Sequence, residues 1–427
     1  MAARKPQRVP KYRLHKPTGQ AFVELQGYRL YLGRYDLPKT RQRYHQVIAE
    51  YLAAGRQVPV APDLMTIMEL LARFWTWAEG YYAQPDGTPT GEIAALRQAM
   101  KPLKELYGYA RAVDFGPLAL RAVRDKMVGY GWCRSNVNKT INRVRLIFRW
   151  ATEHQLIPPG ILEGLRAVAS LKRGRGDARE SDPVKPVSED RIQAIAPHVS
   201  RQVWALVQLQ LLTAARAGEL VTMRPADLDT GGKVWLYRPA AHKTAHRGHV
   251  RTIYLGPRAQ GIVRPFLLRS PDAFLFSPAE AESERRARAH ERRRTPDGYG
   301  NRPGANRKAR PAVAPGSRYT SDSYNRAVAR GCDLAFPPPA PLAKAAGERD
   351  RQWRERLTPE LQADLRAWQK AHRWHTHQLR HTAGTFLRKE FGLETARIIL
   401  GHRSATVAEI YAEVDEKKAV EAIGRVG

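Results

Sequence analysis

Four polar side chains near the C-terminal end of the sequence have types and spacing suited to work on a phosphate. His377 and Arg380 stand three apart in WHTHQLRHTAGTFL, so a helix carries both on one face. His402 follows Leu400-Gly401, and Tyr411 lies nine positions further on. Imidazoles and a phenol can exchange protons, while a guanidinium is a permanently charged fork that matches phosphate oxygens. A phenol beside cations that bind phosphate points to a nucleophile aimed at phosphorus. Taken singly, each residue has an ordinary reading as a core histidine or a packing tyrosine, so order and spacing carry the inference.

That order, H-x-L-R-H-T, then L-G-H, then a tyrosine nine residues on, resembles the C-terminal signature of the tyrosine recombinases, the phage-integrase family. The family also carries an arginine in a T-G-L-R-x-x-E-L helix and a lysine in a β-hairpin. TAARAGEL is similar to the first, with Ala214-Ala215 in place of the usual Gly-Leu. The resemblance thus makes Arg216 the first phosphate-binding arginine and Glu219 the acid that orients the site. By themselves the two are equally well a structural i,i+3 ion pair. Lys243, in His242-Lys243-Thr244, matches the hairpin lysine; Lys233 is the fallback, less favoured because it opens the strand.

The resemblance implies a site-specific recombinase acting on double-stranded DNA as a homotetramer on paired sites, with a directionality or DNA-bending factor as a further partner. A phosphodiester is an anion with a poor leaving group. Its non-bridging oxygens must be neutralised, an attacker activated and the departing oxygen protonated. Arg216 and Arg380 suit the first task and His402 adds a donor. Tyr411, with a phenol pKa ordinarily near ~10, needs nearby cations and help from His377 to lose its proton. Lys243 is the candidate acid for the 5′ oxygen. The implied product is a 3′-phosphotyrosyl link that a partner 5′-hydroxyl can reverse, with no nucleotide or metal cofactor. The sequence offers no carboxylate cluster for two-metal catalysis. Two other readings stand beside it, a type IB topoisomerase and a DNA-binding protein without activity; six intact motif positions argue against the latter.

The elements that must position these residues divide the 427-residue chain into several domains. With 72 Lys and Arg against 41 Asp and Glu, the net charge of +31 favours a polyanionic partner. No apolar run approaches the ~18 residues of a membrane span, and MAARKPQRVP lacks a signal peptide's apolar core. Only Cys133 and Cys332 occur, which fits a reducing compartment and no structural zinc; the resemblance implies a cytoplasmic, nucleoid-associated setting.

Residues 1–60, with twelve Lys and Arg against three acids, read as three short strands and a helix ending at Gly55. This pattern resembles the arm-type DNA-binding unit of phage-like integrases; a packing role is the plain alternative. Residues 64–168 read as all-helical, with Ser135 as a cap and Phe148 and Trp150 in the core; NVNKTINRVRLIFRWATEHQLIP resembles the end of the family's core-binding domain, which the resemblance implies for this stretch. Residues 169–187, rich in Gly, Pro and charge, read as a linker. Residues 188–427 form the expected catalytic domain, mainly α with a small β component, where Ser188 caps the first helix and QVWALVQLQLLTAARAGELVTM reads as one strong helical pattern. KVWLYRP and HVRTIYL read as a hairpin, and about 280–315 as a basic insertion, disordered when free.

Overall fold

The computed structural model describes residues 9–25, 28–53, 65–84, 87–240, 251–294, 296 and 314–401. The chain folds as two compact units, Met1–Asp182 and Pro183–Gly427. Its class is the multidomain one read from the sequence: an N-terminal sheet with a helix, a helical bundle, and a mainly helical C-terminal unit holding a second small sheet.

The N-terminal sheet runs β1 (Arg13–His15), β2 (Gln20–Leu25), β3 (Tyr28–Arg34), all antiparallel. Gly19, at φ +64, makes the turn into β2 in the left-handed conformation that favours glycine. Ala21, Val23, Leu25 and Leu32 bury a sheet face together with Ile48 and Tyr51 of α1 (Pro38–Ala53). The expected end of this helix at Gly55 lies outside the described residues.

Helix α2 (Ile67–Tyr81) starts at a capping box in which Thr66 and Glu69 satisfy each other's main-chain N–H groups. Its Ile67, Leu70, Leu71, Phe74 and Ala78 recur at helical spacing and face a core shared with α3 (Gly91–Tyr107), α4 (Pro117–Gly129), α5 (Arg134–Glu153) and α6 (Pro159–Arg166). Phe148 and Trp150 lie in that core, as expected from the sequence. The cap of α5 is Cys133, not Ser135, whose hydroxyl bonds the Cys133 sulfur instead. Part of the expected linker is fastened to α5: Asn138 bonds both main-chain groups of Leu171, and Arg134 bonds Glu180 at 2.6 Å.

In the second unit, α7 (Glu189–Gln193) follows Ser188, which makes no side-chain cap bond. The central element is α8 (Arg201–Thr213), packed by α10 (Pro257–Val263), α11 (Pro278–Glu291), α12 (Ser321–Ala335) and α15 (Thr376–Leu400). The single helical pattern read through this stretch is broken: α8 stops at Ala214 in a left-handed conformation, and a short α9 (Ala217–Leu220) starts after it. The physical cause is tertiary, as shown below. A three-stranded antiparallel sheet follows, β4 (Leu228–Asp229), β5 (Trp235–Tyr237) and β6 (Ile253–Leu255); β5 and β6 are the expected hairpin strands, and its turn at 241–250 lies outside the described residues. The basic stretch is ordered in its first part. Ser277 caps α11, Pro278 opens it, and Glu282 pairs with Arg285 and Arg286 one turn on, so local ion pairs offset the charge that favoured disorder. Two further helices, α13 (Asp350–Arg356) and α14 (Pro359–His372), precede α15.

Candidate active site

Arg216 is built by the break after α8. It caps α9, and Glu219 at the third helical position takes the Arg216 main-chain N–H at 2.9 Å and its Nη1 at 2.8 Å. Glu219 is only 3% exposed, whereas the Arg216 side chain is 36% exposed. The pair therefore presents a guanidinium outward on a buried carboxylate. Tyr237 of β5, wholly buried, donates its hydroxyl to the Glu219 carbonyl and fixes the turn from beneath.

Arg380 reaches the same break from the other end of the unit. Its Nη1 donates to the carbonyl of Ala214 and its Nη2 to that of Leu400 at 2.7 Å. Ala214 sits at φ +52, and its carbonyl is freed from the helical ladder to meet a buried guanidinium. Helix propensity carried the pattern through this point; a residue 166 positions away ended it. The left-handed position also explains why glycine is the commoner residue there in the resembling family. In this structure the Arg380 fork holds the protein's own main chain, and the side chain is 1% exposed.

His377 lies one turn before Arg380 on α15 and is exposed. Partial burial, then the charges of Arg380, His375 and Arg216, hold its pKa below the ordinary histidine value, so the imidazole is neutral near pH 7. Its ring stands edge-on to that of His381, 5.0 Å between centroids. Burial, aided by His377, Arg380 and His375, pushes His381 down to about 4. The structure thus brings Arg216, Glu219, His377 and Arg380 together. Lys243, His402 and Tyr411 lie outside the described residues. Lys233 is described and stands ahead of β5, where its carbonyl accepts from Gln260.

One member of this cluster was missed from sequence. Arg251, 7% exposed, places Nε 3.6 Å from Glu219 Oε1 and donates from Nη1 to the Ile399 carbonyl at 2.9 Å. The signal was present in HVRTIYL, where Arg251 shares parity with the inward-facing Ile253 and Leu255. Burial works to raise the pKa of Glu219, but Arg251 and then Arg216 overcome it and hold the carboxylate below its usual value. Among the described residues no group of three or more His, Cys, Asp or Glu side chains forms a metal-ligand set, and no helix is long and apolar enough to cross a membrane.

No family profile and no curated protein matches the chain. Solved structures do. A lambda integrase dimer bound to a COC′ core site matches with a TM-score of 0.50 and 13% identity, covering 96% of this chain and 96% of that one. A Tn1549 transposon integrase in complex with transposon right end DNA matches with a TM-score of 0.50 and 15% identity, covering 84% of this chain and 99% of that one. At these identities the likeness is one of fold: the chain has the multidomain fold of these two integrases.

Proposed function

We propose that the chain is a site-specific DNA recombinase of the tyrosine type. The observation that carries the reading is the joint made by two distant motifs. Glu219 seats Arg216 at the break after α8, and Arg380 of the H-x-L-R-H helix donates to the carbonyl of that same break. Two integrases solved on DNA share the fold, and the net charge of +31 suits the same partner.

In the proposed reaction Arg216 contacts the non-bridging oxygens of the scissile phosphate. Arg380 adds its charge from beneath, and His402 is a further donor. The phenol oxygen of Tyr411 attacks phosphorus; a Tyr–O–P bond forms and the bond to the 5′ oxygen breaks. Neutral His377 takes the phenol proton, and Lys243 supplies one to the departing 5′ oxygen. The number of phosphoester bonds is unchanged, so the 5′-hydroxyl of a partner strand reverses the step and completes exchange. Strand exchange between two sites requires four such centres, hence a homotetramer on paired sites, with a directionality or bending factor choosing the direction. Residues 1–60 grip outer DNA, 64–168 clasp the core site, and 188–427 cut it.

Covalent capture tests this. The full chain is incubated with fragments covering the flanks of its own gene and stopped with denaturing detergent, and the protein-linked ends are sequenced. A recurrent 3′ end joined to protein is expected. DNA that is shifted in a gel but never linked would leave only a binding protein. Relaxation of any supercoiled plasmid without a preferred sequence would instead favour the topoisomerase reading.

A further inference from the structure

Arg251 joins three parts of the second unit that the sequence keeps far apart. It stands two residues ahead of Ile253, the first residue of β6. Its Nε faces Glu219 Oε1 at 3.6 Å, and its Nη1 caps the Ile399 carbonyl at 2.9 Å. The Arg251 side chain also packs closely against Gly401. A Cβ built there would meet Arg251 Nη1 at 2.6 Å and Cζ at 3.1 Å. Gly401 is thus required twice, by its φ of +67 and by this approach. A buried cation is costly unless compensated. Here the compensation is split between an anion on α9 and the carbonyl end of α15, where a helix dipole favours positive charge. Arg251 Nη2 has no hydrogen-bond partner among the described residues.

We propose that Arg251 is a positioning residue of the site: it registers the Glu219–Arg216 pair against the C-terminal end of α15, where Arg380 is bonded to Leu400, and so holds the two arginines in one frame. The inference rests on the recombinase reading and names a part of its machinery that touches no substrate. Two consequences follow. Losing the guanidinium frees the end of α15 from the Arg216 turn, and a misplacement of ~1 Å is worth ~10²-fold in rate. It also strips Glu219 of its largest opposing charge, so burial raises the carboxyl pKa and Arg216 is released at a higher pH. The groups that face Glu219 are Arg216 from its own turn, Tyr237 from β5 and Arg251 itself; Arg380 and His377 of α15 join the cluster through Arg251 and Arg216.

The experiment measures single-turnover adduct formation on a nicked substrate carrying the captured site, from pH 5 to pH 8, for the full-length wild type, R251Q and R251K. R251Q is expected to be ~10- to 100-fold slower, with the acid limb of its profile moved to higher pH. R251K keeps the charge beside Glu219 but cannot span both partners, so its limb returns to the wild-type position while its rate stays low. A residue that only filled the core would lower the thermal midpoint and leave the limb where it was. Should R251Q fail to fold, Gly401→Ala displaces the guanidinium without removing it and should reproduce the slow rate of R251K. A folded R251Q, or a folded Gly401→Ala, with wild-type rate and profile overturns the role of Arg251 alone. A wild type that forms no adduct overturns the recombinase reading and this inference with it.

Discussion

Arg380 Nη2 donates to the carbonyl of Leu400 across 2.7 Å, although the two residues lie 20 positions apart on α15. A straight helix would hold them ~30 Å apart. The chain therefore turns back on itself, and it does so at Gly392, whose φ of +80 and ψ of 173 fall in a region open only to glycine. A Cβ at Gly392 would meet nothing within 4 Å, so the backbone alone resists substitution. Gly392→Ala should cost ~1–3 kcal/mol, read as a drop in the urea midpoint at unchanged slope. A variant as stable as wild type would mean that the turn is not set there.

Ala214 makes the opposite case. Its left-handed conformation costs ~1–2 kcal/mol, which Ala214→Gly relieves. Losing a buried methyl and adding backbone freedom costs ~0.8 kcal/mol and ~0.5–1 kcal/mol respectively. The terms cancel to within ~1 kcal/mol, so Ala214→Gly should be near neutral. Ala214→Val, β-branched at a positive φ in a tight cluster with Ala383, Ala396 and Leu400, should lose ~2–4 kcal/mol. Equal effects of the two substitutions in equilibrium unfolding would refute this account.

Protonation of His381 should weaken the fold in acid. The folded pKa of about 4 lies below the ordinary 6.5. The unfolded chain therefore binds more protons between these values, and stability falls as pH drops through that window. The His381 contribution has a limiting slope of ~1.4 kcal/mol per pH unit. His381→Asn should narrow the difference between urea midpoints at pH 7.5 and pH 4.5; an unchanged difference would assign the acid sensitivity elsewhere.

Tyr411→Phe should leave DNA binding intact and abolish the covalent adduct, since only the hydroxyl is removed. Lys243→Ala should be slow on ordinary DNA yet largely rescued by a 5′-bridging phosphorothiolate, whose sulfur leaves without a proton. Equal defects on both substrates would move the acid to Lys233 or His402.

Deletion of residues 1–60 should flatten the dependence of log affinity on log salt for long sites, because twelve basic side chains are lost with only three acids. Cleavage of a minimal core site should survive. A deletion that leaves the salt slope unchanged and lowers only the thermal midpoint would make the sheet a packing element.

The sequence by itself determined the helices whose apolar residues recur at fixed spacing, the hairpin strands, and the polar motifs around Arg216 and His377, because these are local patterns. It also named Glu219 as the partner of Arg216, since three residues on a turn suffice to join them. Only the tertiary structure decided that α8 ends at Ala214, that α15 folds back at Gly392, and that Arg251 belongs to the cluster. Each of these depends on a buried guanidinium meeting a main-chain carbonyl or carboxylate from a distant part of the chain. A carbonyl has no side chain to announce it, so its need for a donor appears only when the fold buries it.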